Sequence, residues 1–265
     1  MSSPFQHQAA DRDAAPQFVL PLVVRIERDA PPTRTDALET AARAVLTLLC
    51  DERATADDGE WAQAVRNWQD ARIRKVVRRA RGAEWRRAAA LPGITVTGSG
   101  SGSGSASGSV PGADTEAGTA DVPPAEVRVY PPVPLDGWPK ELAKLQVSGT
   151  ELDDPQPPSP LEPGDPRPVL WMNPDVTMSA GKAMAQAGHG AQLAWWELSD
   201  ADRDAWRAAG FPLAVRTPSP ALWTRLSASA LPVVRDAGFT EVAPGSATVV
   251  ADHPSLRAHP APGPL

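Results

Sequence analysis

Lys182, Gln186 and His189 fall at i, i+4 and i+7 of the stretch Met178 to Trp196, MSAGKAMAQAGHGAQLAWW, so a helix there turns all three to one side. A second polar set lies in Arg235 to Val250, RDAGFTEVAPGSATVV, where Asp236, Thr240 and Thr248 surround a glycine-containing turn and an apolar strand. An ammonium in the first turn of a helix, where unpaired N–H groups already favour anions, suits a phosphate or a developing oxyanion. A glutamine one turn on can orient a water or an ester carbonyl. A carboxylate can orient or deprotonate that water, with threonine hydroxyls completing a relay. Lys182 is also the only lysine of the second half.

Taken singly, each of these residues has an ordinary explanation. Lys182 suits a solvated surface position, Gln186 a half-exposed helix face, and Thr248 an edge strand. Asp236 before Ala237-Gly238 suits an Asx-turn. His189, between Gly188 and Gly190, reads more readily as a packed, hydrogen-bonded histidine than as a general base. A Walker A loop is excluded, because Val176 stands where its first glycine belongs and Ala183 where its Ser/Thr belongs. It is the combination that carries chemistry.

That combination resembles the archaeal and eukaryotic type of peptidyl-tRNA hydrolase, the second of two unrelated classes. The matching positions are Met178, Gly181, Lys182, Ala185, Gln186 and His189 on the helix, then Asp236, Ala237, Gly238, Thr240 and Thr248. The likeness covers roughly residues 168 to 254. It implies hydrolysis of the ester joining a peptide to the 3′ ribose of tRNA, with peptidyl-tRNA as partner and no metal or organic cofactor. It makes Lys182, Gln186, Asp236, Thr240 and Thr248 the catalytic set, with His189, Gly181 and Gly238 in support. Three family positions differ: two usual lysines are Ala180 and Leu213 here, and a usual glutamine is Glu241. The alternative is a family-like scaffold that has lost turnover and binds RNA or a protein partner.

The composition bounds the rest. The 265 residues are 42% hydrophobic, enough for real cores, but thirty prolines and a Gly/Ser tract lie outside them. A net charge of -6 argues against coating nucleic acid by bulk charge. One basic stretch stands out: Arg66, Arg72, Arg74, Lys75, Arg78, Arg79, Arg81, Arg86 and Arg87 meet only Asp70 and Glu84. It offers RNA contacts through Arg72, Arg74, Lys75, Arg78 and Arg79, or else a salt-bridged helical face. The single Cys50 excludes an intrachain disulfide, and the four histidines lack zinc spacing. No apolar run approaches the roughly 20 residues that span a bilayer, so the expectation is a soluble cytoplasmic protein without membrane contact.

Along the chain, residues 1–17 read as a disordered arm. Phe18 to Ile26 reads as a buried strand, and Thr35 as the N-cap of the helix that follows. A strand is expected around Ile73 to Arg78, then strands at Ile94 to Val96 and Ala125 to Tyr130, with a disordered Gly/Ser insertion at about 98–121 between them. Trp138 to Val147 suggests a short helix, and 149–167 a Pro-rich linker. A strand at Val169 to Met172 opens the second unit, 168–256, followed by helices at Ala180 to Trp196 and Ala201 to Ala209 and a strand at Leu213 to Arg216. A helix at Pro220 to Ala228 and strands at Pro232 to Arg235 and Ala247 to Ala251 complete it. The tail 257–265 is expected to be disordered.

The two halves share a spacing pattern. Trp68 precedes Val77-Arg78 as Trp206 precedes Val215-Arg216, Trp85 follows Arg78 as Trp223 follows Arg216, and Leu91-Pro92 recurs as Leu231-Pro232. The expectation is an α/β fold of three α/β/α layers around a small mixed four-stranded sheet, present twice by internal duplication. The first copy, 18–148, is degenerate, with Leu38, Ala42 and Val45 near the positions of Lys182, Gln186 and His189. The copies can pack as an internal pseudo-dimer. The sequence leaves oligomeric state open.

Overall fold

The run FVLPLVVR is apolar almost throughout, the pattern of a strand covered on both faces. The computed structural model describes residues 16–100, 122–162, 164–238 and 241–257. There the run is β1 (Phe18–Arg25), at the middle of the first sheet. It pairs parallel with β2 (Arg74–Ala80) and antiparallel with β4 (Glu126–Val129), which in turn pairs with β3 (Ile94–Thr97). A short β5 (Val133–Pro134), not anticipated from sequence, adds to the start of β1. Side chains alternate across β1: Leu20, Leu22 and Val24 enter the main core, while Val23 joins Trp85, Tyr130 and Leu142 on the opposite face.

The second sheet repeats this order and these senses. β6 (Val169–Met172) is flanked by parallel β7 (Ala214–Arg216) and antiparallel β9 (Ala247–Asp252), with β8 (Val233–Arg235) outside β9. The first sheet carries α1 (Arg34–Leu49), α2 (Glu52–Thr55), α3 (Ala62–Asp70), α4 (Gly82–Ala89) and α5 (Lys140–Ala143). The second carries α6 (Ala180–Glu197), α7 (Asp200–Ala208), α8 (Pro220–Ser227) and α9 (Pro254–Arg257). The spaced tryptophans hold equivalent places. Trp68 donates its indole N–H to Arg74 O at 2.8 Å, and Trp206 donates to Pro212 O at 2.9 Å, each tying a helix to the entry of the next strand. Trp85 and Trp223 are both buried.

The first long helix begins two residues earlier than its sequence suggests. Thr33 is the N-cap, accepting Asp36 N at 3.3 Å. Thr35 is engaged elsewhere, donating its N and Oγ1 to the Asp154 carboxylate at 2.8 and 2.7 Å. This moves the comparison of the halves by the same two residues. With caps Thr33 and Ser179 superposed, Asp36, Thr40 and Arg43 stand where the second half has Lys182, Gln186 and His189, in place of Leu38, Ala42 and Val45.

Asp36 shows what the first half does with that position. Buried in the first turn of α1, its carboxylate accepts Ser99 N at 3.1 Å, Gly100 N at 3.3 Å and Ala125 N at 2.8 Å. It therefore pins both ends of the stretch that leaves β3 and returns to β4. Gly98, immediately after β3, leaves the room for this: a Cβ there would overlap the Asp36 carboxylate. The interior of the Gly/Ser insertion, the arm before residue 16 and the tail after 257 lie outside the described residues.

One hydrophobic core runs through both halves, from Leu20 to Ala251. Its centre is α1 against α6. The Pro-rich segment between the halves is tied down as well. Thr150 is fully buried and its Oγ1 accepts Gly181 N at 3.0 Å, while Asp153 O accepts Arg34 N at 3.1 Å. Among the described residues, no helix is long and apolar enough to cross a membrane.

Asp36→Ala is expected to lower the unfolding free energy by about 2–3 kcal/mol, because the buried Ala125 N–H loses its acceptor and the loop ends lose their tether. Urea unfolding of the variant against wild type measures this.

Candidate active site

α6 starts cleanly because its first amides are satisfied by side chains. Ser179 Oγ accepts Lys182 N at 3.3 Å, and Thr150 takes Gly181 N. Glu241 fixes the cap itself, its carboxylate accepting Ser179 N at 3.1 Å and Ser179 Oγ–H at 2.8 Å. The residue that departs from the usual glutamine thus ties the 236–246 loop to the start of the helix. The Gly181 and Lys182 N–H groups are thus paired within the chain. Gly181 serves the same packing, since a Cβ there would lie 2.9 Å from Thr150 Oγ1.

Lys182, Gln186, Asp236 and Thr248 form one connected chain of hydrogen bonds. Lys182 Nζ donates to Asp236 Oδ2 at 2.5 Å, and Gln186 Nε2 donates to the same oxygen at 2.8 Å. Thr248 Oγ1 donates to Gln186 Oε1 at 2.5 Å. That last bond sets the amide: with Oε1 taken by a hydroxyl donor, the NH₂ group must face the carboxylate. The site is largely dry, with the Lys182 side chain 14% and the Asp236 side chain 5% exposed. Gln186 and Thr248 are buried at 3% and 0%.

The two carboxylate oxygens of Asp236 have different partners. Oδ1 accepts Gly238 N at 2.8 Å, closing the Asx-turn, while Oδ2 faces α6. Gly238 has φ of +78°, and a Cβ there would overlap the Pro244 ring, so this turn requires glycine. The loop is closed by Asp236 N to Ser246 O at 2.9 Å and Gly245 N to Asp236 O at 2.7 Å. Thr240 lies outside the described residues.

Thr248 is aimed by a feature that the sequence does not announce. β8 and β9 slip register between Val234 and Arg235: Val234 faces Val249 but Arg235 faces Ala247, leaving Thr248 as the extra residue. A β-bulge of this kind turns one side chain out of the regular alternation. Here it brings the hydroxyl to Gln186.

His189 takes no part in this chain of bonds. Its Nδ1 lies 3.1 Å from Nζ of Lys75, a residue of β2 in the other half. Burial pushes the imidazole well below its ordinary value of 6.5, and the positive charges of Lys75 and Lys182 push the same way. The packed, neutral histidine is the reading that fits. Lys75 is correspondingly removed from the candidate phosphate contacts: it is 8% exposed, and Nζ also donates to Gln192 Oε1 at 2.6 Å and Ile73 O at 3.3 Å. Burial drives its ammonium well below the ordinary 10.5. Arg78 donates to Ala143 O and Leu145 O and stacks on Trp138, and Arg79 donates to Ser148 O and the Gln146 amide. Arg72 and Arg74 are half-buried and engaged within the chain. Ala180 and Leu213, where lysines are usual in the resembled family, are buried core positions. Gln192 is the participant that spacing missed; its signal is an amide in the apolar run AQLAWW.

A family model for peptidyl-tRNA hydrolase PTH2 matches residues 167–259. The match covers the second sheet, α6 and the whole of the bonded chain from Lys182 to Thr248, about a third of the protein. No curated protein and no solved structure matches.

A histidine held neutral by folding binds its proton more readily in the unfolded chain. Its contribution to stability is full above pH 6.5 and is lost as pH falls from there. The unfolding free energy is therefore expected to decline on acidification below that point, and less steeply in His189→Asn, which has no titrating ring. Urea titrations across this range measure both slopes.

Proposed function

We propose that the second half hydrolyses the ester between a peptide, or an N-blocked aminoacyl group, and the 3′ end of tRNA. The observation that carries this reading is the continuous chain Lys182–Asp236–Gln186–Thr248 inside the segment that matches the hydrolase family model. A carboxylate has about four acceptor directions, and three on Asp236 are filled by Lys182, Gln186 and Gly238. The fourth receives the attacking water and takes its proton as the O–C bond forms. The Lys182 ammonium has two further N–H groups beyond its bond to Asp236, and these stabilise the oxyanion that develops on the ester carbonyl. Collapse of that intermediate breaks the bond to the ribose oxygen, which takes the proton back from Asp236. Gln186, locked by Thr248, holds the carboxylate at one angle throughout.

RNA contact on this reading falls to the basic face of the first half. Arg78 and Arg79 bond neutral groups, and among the described residues no carboxylate pairs with either, so their charge is uncompensated. Arg86 and Arg87 on α4 are exposed beside them in sequence. The same reading takes the halves as copies of one unit packed as an internal pseudo-dimer. Equal strand order, equal senses and the two equivalent indole bonds support that duplication.

Release of free tRNA from N-blocked aminoacyl-tRNA tests the activity. Asp236→Asn is expected to lower kcat by about 10²-fold or more, and Lys182→Ala by a similar factor, with the fold intact by circular dichroism. Wild-type turnover by either variant, or none by the wild type, sinks the reading. For the RNA face, Arg86→Glu with Arg87→Glu is expected to weaken tRNA binding and reduce the slope of log Kd against log salt by about one to two. An unchanged slope removes α4 from the interface.

A further inference from the structure

Lys75, a residue of the first half, spends its functional group on α6. It leaves β2, passes Gly188 and ends between His189 and Gln192. The closeness depends on glycine, since a Cβ at Gly188 would sit 3.3 Å from Lys75 Cδ and 2.9 Å from Val45 Cγ2. On its other side α6 is held as tightly: a Cβ at Gly190 would lie 2.9 Å from Val249 Cγ1, on the strand that carries Thr248. The helix that bears Lys182 and Gln186 is thus set against its own sheet by one glycine and against the first half by the other.

We propose that Lys75 is a positioning residue for the Lys182–Asp236–Gln186–Thr248 site, supplied from the other half of the chain. Nζ lies 3.1 Å from His189 Nδ1 and donates to Gln192 Oε1, one turn further along the same face. These bonds fix the rotation and axial position of α6 one turn beyond Gln186. The bonds of 2.5 to 2.8 Å at Asp236 and Thr248 tolerate little movement of that helix.

Buried placement alone does not explain the choice of lysine. An amine in an apolar interior is costly, and an aliphatic residue of the same length fills the space without that cost. The equivalent strand-leading residue of the second half is Leu213, buried and facing the core, so the fold itself accepts an apolar side chain here. The polar group is present only on the side that faces the assembled site. The first half, whose own helix carries Asp36 in place of Lys182, therefore contributes to the chemistry of the second through Lys75.

The test uses full-length protein with Lys75→Met, which keeps the stem and removes the donors. This inference rests on the proposed hydrolysis for its kinetic arm and is independent of it for its structural arm. The expected result is a cooperatively folded protein with a melting temperature at or below wild type, a shift of the His189 Nδ1 resonance away from its wild-type position, and, under conditions where both proteins are fully folded, kcat lower by on the order of tenfold with KM unchanged. Wild-type kcat in the variant overturns the proposal, as does a loss of activity that only parallels a loss of folded protein. If the wild type itself does not turn over, the hydrolase reading fails alone. Hydrogen exchange of the Lys182 to Gln186 amides then decides: exchange about tenfold faster in the variant, with β9 unchanged, supports positioning, and unchanged exchange overturns it. Should Lys75→Met not fold, Gln192→Leu removes the shorter of the two bonds to α6, and an unchanged kcat there has the same overturning force.

Discussion

Gly188 and Gly190 let α6 be gripped from both sides, and the geometry of the site follows from that grip. Side chains at either position would hold the helix away from α1 or from β9. Packing at this distance makes the interior resist small shifts, since a close-packed core has few voids into which a helix can move. Lys182 and Gln186 reach Asp236 from consecutive turns of a helix that cannot slide, and Thr248 reaches Gln186 from a bulge in a strand against the same helix. The cost is borne by the helix itself, because glycine in a helical interior is unfavourable by about 1 kcal/mol relative to alanine. Tertiary packing outweighs that local preference here.

The two halves put opposite charges to work in one arrangement of elements. In each, a helix begins after a strand and its first turn faces the residue that follows the third strand of the sheet. In the second half the helix carries an ammonium and the loop a carboxylate. In the first half the helix carries the carboxylate of Asp36, and the described ends of the loop offer it backbone amides. The first version leaves a lysine with donors to spare. The second consumes the carboxylate in holding two loop ends together. A single helical position thus separates a polar site from a structural clasp.

Much of this was legible in the sequence. The strands around Leu20 and Leu170 announce themselves by unbroken apolar runs, and the i, i+4, i+7 spacing of Lys182, Gln186 and His189 places them on one helix. The Asp-Ala-Gly turn was legible as well, because its chemistry is local. What the sequence concealed was non-local. The cap at Thr33 was hidden because Asp154, far along the chain, occupies Thr35. The bulge that aims Thr248 depends on how β8 and β9 pair, which no run of residues encodes alone. Lys75 looked like one more charge in a basic stretch, and only the packing of β2 against α6 takes it into the interior. Arg78 and Arg79 sat in the same stretch and went the other way, onto the carbonyls of residues 143 to 148.

The segment around Thr150 to Asp154 joins the halves by covalent chain and bonds to the first turns of both α1 and α6. Two surfaces on separate molecules meet with a probability that falls on dilution. Two surfaces on one short tether meet at an effective concentration in the millimolar range, whatever the amount of protein present. The pairing of α1 with α6 is therefore unimolecular, and its occupancy is the same at nanomolar as at micromolar protein. A chain arranged in this way also has unlike partners by construction. Each helix can specialise, since a substitution on one is not copied onto the other as it would be between identical subunits.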